Sequence, residues 1–400
     1  MVTLLLVVIY AAFISLGLPD AILGSAWPTM YVSLGVPVGA AGLVTTITAG
    51  GTIVSSLMSA KVIRRFGTGK VTLFSVSLTA IALFGFSIST SLWMLCLWAI
   101  PYGLGAGSVD TALNNYVAVH YKARHMNWLH CFWGVGASIG PYVMGLYLMS
   151  GFTWNAGYRT IGLIQVALAI GLAAALPLWR LKDGNQEDAQ KADSLRLWDA
   201  FKLPGAKQIF LAFFCYCALE GTAGLWASSY MVLVRGVSAE RAAQMASLYF
   251  LGITAGRFLS GFISARLNNR HMVRLGQGII VLGVLLMFLP LGNVWLYAAL
   301  LLIGLGSAPI FPALLHETPR NFGREQSQML IGMQMAAAYT GATLMPPLFG
   351  LVGQYLGVWL YPFFIMLYAL IMMLTTERAT RVFNGKKTVC VTGSDGRQDA

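Results

Sequence analysis

Twelve stretches of this chain are apolar for long enough to cross a lipid bilayer. A helix rises about 1.5 Å per residue, so about 20 apolar residues span the hydrocarbon core. The stretches run over residues 3–31, 36–60, 71–89, 92–118, 127–150 and 159–179. A second set covers 208–234, 241–264, 272–290, 294–316, 326–352 and 358–376. Hydrocarbon offers no water to an unpaired N–H or C=O, so each stretch must close its own backbone hydrogen bonds as a helix. The composition agrees: 57% of residues are hydrophobic and 10% charged, against about 25% charged in soluble domains. The expected class is an all-α integral membrane protein with 12 transmembrane helices.

The charges fall on one side of that plan. The net charge is +12, and all but four of the 26 Lys and Arg lie in alternate loops and the tail. Arg159, Arg235 and Arg241 fall on the opposite side and Arg257 lies within a span. Such a bias marks the cytoplasmic side, which predicts cytoplasmic termini and a multi-pass protein of the bacterial inner (plasma) membrane. It also argues against nucleic acid as a partner, because no basic face interleaved with stacking aromatics remains. The start of the chain enters a span with no basic leader region and no clear cleavage site, so it reads as uncleaved.

One long polar stretch, 180–207, divides the spans six and six. The expected organisation is an N-terminal bundle over 1–179, a cytoplasmic linker over 180–207, a C-terminal bundle over 208–376 and a cytoplasmic tail over 377–400. Residues 194–202 of the linker could form a short interfacial helix with Leu195, Leu197, Trp198 and Phe201 as its apolar residues. The halves repeat one another. Asp20 and Gly24 align with Glu220 and Gly224, and Thr48 to Gly50 with Thr254 to Gly256. Gly103 and Gly105 align with Gly304 and Gly306, and Gly136 and Pro141 with Gly341 and Pro346. The offset stays between 200 and 206 throughout, which makes the bundles pseudo-symmetric. Two parallel halves with a site between them near the midplane is an architecture of secondary transporters.

Three carboxylates stand inside the spans: Asp20, Asp110 and Glu220. A charge near the bilayer centre costs about 2.5–3.5 kcal/mol even on insertion-derived scales, and such groups face cavities or proton pathways. Their alternative role is an interhelical hydrogen bond, most plainly for Glu220. Asp110 and Asn114 are four residues apart, hence on one helical face, with Asn115 next to them. His130 and Trp133 are three apart in the antiparallel neighbour, so a cluster of Asp110, Asn114, His130 and Trp133 is geometrically possible. Asn114, Asn115, His130 and Trp133 are the first-half candidates for substrate contact: His130 could relay protons or meet a solute hydroxyl, or simply lock two helices together. In the second half the candidates for substrate contact are Trp226, Tyr230, Gln334 and Tyr339. Trp226 and Tyr230 could stack on a ring or belong to an interfacial aromatic belt. Arg257, about two turns from a helix end, reads as a gating residue.

The six-plus-six plan resembles the major facilitator superfamily over all twelve spans. Lys61 to Lys70, with Arg64 and Arg65, resembles that family's basic loop between spans 2 and 3, although the Asp of its usual Asp–Arg pair is missing. The resemblance implies gating roles for Lys61, Arg64, Arg65 and, in span 8, Arg257. The run from Asp110 to Tyr116 is similar to the span 4 segment of the fucose-permease-like sugar symporters, with Asp in place of Glu and Asn115 in place of Pro. Those relatives use an acid in span 1 and another in span 4, so the resemblance implies proton coupling through Asp20 and Asp110, with Glu220 as the repeat-related third.

The expected function is therefore a proton-coupled secondary transporter of a small hydroxylated solute, a sugar above all, working as a monomer by alternating access. The alternative is a proton-driven efflux antiporter for drugs or amphipathic metabolites. No cofactor is expected beyond the proton gradient, and Na⁺ coupling stays open. Nothing suggests an enzyme: there is no Walker pattern, and His316–Glu317 lacks the second His of a zinc helix. His120, His125 and His130 recur every five residues, which turns each away from the last.

Overall fold

The computed structural model describes residues 2–121, 123–179, 201–263, 266–289 and 292–392. Among them the secondary structure is helical throughout, with 12 helices long and apolar enough to cross a membrane. The spans are Leu4–Leu34, Val38–Ser59, Thr68–Ser87, Leu92–Asn114, Trp128–Met149 and Trp154–Trp179. In the second half they are Ala206–Leu233, Ala239–Ile263, Asn269–Phe288, Asn293–Phe322, Met329–Tyr355 and Val358–Asn384. They are numbered 1 to 12 below. An even number of crossings returns the chain to one face, here the terminal face; the other is the far face.

Two spans are broken where proline removes a helix donor. Span 1 is a helix over Val2–Asp20 and a second over Ile22–Leu34, with Pro19 just before the break. Span 10 divides into Asn293–Ser307 and Ile310–Phe322 around Pro309. Pro141, Pro346 and Pro347 sit inside continuous helices. At the far face span 1 ends on Gly35, whose φ of 62° is the left-handed conformation that glycine adopts without strain.

The repeat is visible in how the helices touch. Lipid tails are as apolar as the helices, so association depends on close packing, and small residues permit it. A Cβ built on Gly103 would overlap the Thr48 carbonyl; one on Gly304 would overlap the Tyr249 carbonyl. Gly136 meets the Ile14 carbonyl as Gly341 meets that of Phe214. A Cβ on Gly105 would stand 2.7 Å from the Ser75 oxygen, and one on Gly306 2.5 Å from the Gly276 oxygen. Spans 2/4, 1/5 and 3/4 are thus packed like spans 8/10, 7/11 and 9/10, at the spacing the sequence repeat sets.

The two bundles meet along a seam that is tight in its far-face half. Gly24 of span 1 would place a Cβ 2.7 Å from the Leu225 oxygen of span 7. A Cβ on Gly42 of span 2 would stand 2.8 Å from Pro347 Cα of span 11, and one on Gly145 of span 5 would stand 2.6 Å from Gln244 N in span 8.

Two boundaries differ from expectation. Span 7 already begins at Ala206, and the last helix runs through the expected tail boundary at 377 to Thr392. Glu377, the first residue of the expected tail, is tied to span 9: Arg274 donates to both of its oxygens, at 2.5 and 2.8 Å. Residues 180–200, with most of the expected interfacial helix, lie outside the described residues.

Gly103→Val is expected to destabilise the protein by about 1–3 kcal/mol, the usual cost of overpacking. Gly171→Val, with nothing within 4 Å of its Cβ, should leave the melting temperature unchanged. Fluorescence-detected thermal unfolding of both in detergent compares them.

Candidate functional site

Asp20 closes the first half of span 1, at the break that follows Pro19. Its two oxygens have different donors. Tyr102 of span 4 donates its hydroxyl to Oδ1 at 2.8 Å, and Trp133 of span 5 donates Nε1–H to Oδ2 at 2.8 Å. The carboxylate is nevertheless exposed, because it opens onto a cavity of about 270 Å³ between the bundles. Thr45, Thr48 and Thr52 of span 2 and Tyr158 of span 6 line it on one side. Leu225 of span 7 and Tyr339 of span 11 line it on the other. Tyr339, a sequence candidate, is 54% exposed there.

Asp110 and Asn114 pair as their spacing predicts: Asn114 donates Nδ2–H to Asp110 Oδ1 at 2.8 Å. Both are half-buried, two to three turns nearer the terminal face than Tyr102, and neither is on the cavity wall. The four-residue cluster expected around Asp110 is not formed. Trp133 gives its N–H to Asp20 instead, and the His130 ring stands edge-on to Phe13, with centroids 5.9 Å apart. The Asn115 side chain lies outside the described residues.

Glu220 occupies the position related to Asp20 by the repeat, with a different partner. Arg257 Nη2 of span 8 lies 3.6 Å from Glu220 Oε1. The same guanidinium donates Nη1–H to the His130 carbonyl at 3.3 Å and stands 5.4 Å over the Trp133 ring. Arg257 therefore reaches across the seam from the second bundle into the first. Lys61, Arg64 and Arg65 are exposed at the terminal-face end of span 2, where the Arg65 guanidinium lies 5.4 Å over the Phe66 ring.

Three substrate-contact expectations give way to packing. Trp226 is wholly buried; it donates Nε1–H to the Pro346 carbonyl at 2.8 Å and lies against Phe349. Tyr230 is buried and stacked on Tyr361 at 5.2 Å. Gln334 is fully buried and joins span 11 to span 10 through Thr318, at 2.9 Å. All three serve the interior of the second bundle.

Other residues were missed. Tyr102 and Tyr158 carry no sequence mark that separates them from packing aromatics. The span 2 threonines did carry one: Thr45, Thr48 and Thr52 recur at i, i+3 and i+7, a polar stripe on one face of an apolar helix. No group of three or more His, Cys, Asp or Glu among the described residues could hold a metal ion.

The family model of the Major Facilitator Superfamily matches residues 9–322 and again 209–376. The chain belongs to the major facilitator superfamily. A glucose/mannose transporter of Bacillus subtilis, GlcP, is 23% identical to it over 76% of this chain and 77% of that one. Bypass of stop codon protein 6 of Saccharomyces cerevisiae is 21% identical over 88% and 77%. Among solved structures, the nucleoside transporter NupG superposes with a TM-score of 0.73. It covers 95% of this chain and 98% of that one at 14% identity, which shows the shared fold. The protein is thus a facilitator-fold transporter and not an enzyme, and its cavity lies between the two bundles of that fold.

Trp226→Phe is expected to lower stability by about 1–3 kcal/mol, through a lost buried hydrogen bond and a partial void. Solute affinity should not change, because the residue does not reach the cavity. Thermal unfolding and solute binding on the same preparation separate the two; weaker binding with unaltered stability would return Trp226 to the site.

Proposed function

We propose that this protein is a proton-coupled secondary transporter that carries a small hydroxylated solute, sugar-like in chemistry, by alternating access. The carrying observation is Asp20: a carboxyl at mid-span, open to the cavity and held by two neutral donors. A cation would favour the ionised form strongly, whereas Tyr102 and Trp133 can hold the group whether it is charged or protonated. Such a carboxyl can load and release a proton without leaving a buried cation unpaired. The threonine stripe, the tyrosines and Asp20 together offer the hydroxyls, ring faces and acceptor that a polyhydroxylated ring requires. At about 270 Å³ the cavity lies just below the range for drug-sized ligands, about 300–1,000 Å³, and suits a small solute. The glucose/mannose transporter among the relatives and the nucleoside transporter among the structural neighbours carry solutes of this kind.

Asp110, with Asn114, is the second proton-binding candidate, and Glu220 the third. The basic loops identify the terminal face as cytoplasmic, in the inner membrane of a bacterium. The tight far-face half of the seam supports an inward-facing arrangement on that reading. The proton or, in its place, Na⁺ supplies the driving force, and one chain contains the whole cavity.

In proteoliposomes, adding the right sugar should take up external protons with the solute. Asp20→Asn with Asp110→Asn should abolish uphill accumulation, so that internal solute rises only to the external concentration. Full accumulation by the double variant rules out the coupling scheme, and accumulation that follows a Na⁺ gradient instead of ΔpH moves the coupling to sodium. Orientation has its own check. A C-terminal fluorescent-protein fusion should be bright, and an active C-terminal alkaline phosphatase would invert the assignment.

A further inference from the structure

One aromatic ring touches both halves of the charge system. Trp133 donates its N–H to Asp20 within the first bundle, and its face carries the Arg257 guanidinium of the second bundle at 5.4 Å. Arg257 in turn is paired with Glu220 at 3.6 Å. Asp20, Trp133, Arg257 and Glu220 thus form an unbroken row across the seam, from spans 1 and 5 to spans 8 and 7. We propose that Trp133 is the positioning residue that couples the charge of Asp20 to the seam between the bundles. This inference rests on the transport reading above and assigns Trp133 a role other than solute contact.

The physics runs through one side chain. A cation over an indole face is attracted by the ring's negative quadrupole, and it withdraws density from the ring, so the N–H becomes a better donor to an anion. Ionised Asp20 and Arg257 therefore reinforce each other through Trp133. When Asp20 takes a proton, its Oδ2 becomes a weaker acceptor, because hydrogen bonds to charged groups are the stronger kind. The indole is then less firmly oriented, and Arg257 loses the flat surface that keeps it over the first bundle. Its remaining bond across the seam goes to the His130 carbonyl at 3.3 Å, longer than the usual N–H···O range of about 2.7–3.2 Å. Arg257 retains Glu220, which lies in its own bundle, so the tie can break without stranding the cation. Loading one proton on Asp20 thereby loosens the seam in the half nearer the terminal face, while the far-face glycine contacts stay as they are.

The test needs no solute. Spin labels on Leu57→Cys in span 2 and Phe262→Cys in span 8, which are 78% and 66% exposed, report the distance between bundles by pulsed electron resonance. The five native cysteines are first replaced. Asp20→Asn should lengthen that distance, Trp133→Phe should lengthen it equally, and the double variant should move no further, because both remove the same link. Arg257→Lys, which keeps the charge but loses the flat guanidinium, is the second probe and should shift the distance in the same sense. Additive shifts in the double variant overturn the proposal, as does an unchanged distance in both Trp133→Phe and Arg257→Lys. In vesicles Trp133→Phe should lose uphill accumulation by about tenfold while solute exchange falls far less; equal losses in both assign it a structural role and also overturn the proposal. If the wild-type protein moves no sugar, the function reading fails, and the distance measurement still decides this one.

Discussion

The hydrocarbon interior provides no water to accept a polar group, and the architecture follows from that constraint. Backbone donors and acceptors are satisfied inside helices, which leaves the helices with only shape to hold them together. Glycine carries that burden here. Gly103 against Thr48, Gly136 against Ile14 and their counterparts Gly304 and Gly341 bring backbones together where any side chain would intervene. The same constraint makes each intramembrane charge informative. Asp20, Asp110, Glu220 and Arg257 each have a polar or aromatic partner within reach, and the kind of partner separates their roles.

The repeat copies the frame and not the chemistry. Asp20 and Glu220 stand at equivalent positions, yet their surroundings diverge. The offset of 201 that relates span 4 to span 10 places Ile303 where the first half has Tyr102. The offset of 205 that relates span 5 to span 11 places Ala338 where it has Trp133. Glu220 therefore has neither donor and turns to Arg257, whose own counterpart in span 2 is Gly51. One acid sits among neutral donors beside the cavity, and the other sits in an ion pair beside the seam. Pseudo-symmetry supplies two positions, and the substitutions around them give each a different task.

Much of the fold was legible because its signals are long. Apolar length and a repeat offset are each averaged over many residues, and the structure reproduces both, down to the pairs of glycines. The site was legible only where a residue contradicts its surroundings, as Asp20, Asp110 and Glu220 do. Spacing along one helix tells which face a residue is on but not what that face meets. Trp133 and Trp226 look alike in sequence, both being tryptophans within apolar spans. One gives its N–H to Asp20 and the other to the Pro346 carbonyl, a difference made entirely by the partner helix. Tyr230 and Gln334 failed for that reason, and Tyr102 was missed for it. Thr45, Thr48 and Thr52 are a different case, since their shared face was written in the sequence and only the cavity beside it was not.

The two ends of the seam differ in kind. In the far-face half the contacts are glycine backbone against backbone, at Gly24, Gly42 and Gly145. Parting them forfeits dispersion, about 0.1–0.2 kcal/mol per atom pair. Nearer the terminal face Trp133 also meets the Phe250 ring and Gly134 lies against Thr254, but charged groups join the contact there, and the placement of their partners matters. Asp20 has both of its donors, Tyr102 and Trp133, in its own bundle. Arg257 has Glu220 in its own bundle. Of the contacts these charges make among the described residues, the guanidinium–indole contact and the bond to the His130 carbonyl are the ones that cross the seam. An unpaired charge in this environment would cost several kcal/mol, enough to hold a seam shut. Because each bundle retains a partner for every charge it brings to the seam, the halves can separate at that end too. A pair of acids bridged directly to cations across the seam would have locked the molecule in one state; here the charges are close enough to sense each other and remain paired within their own bundles.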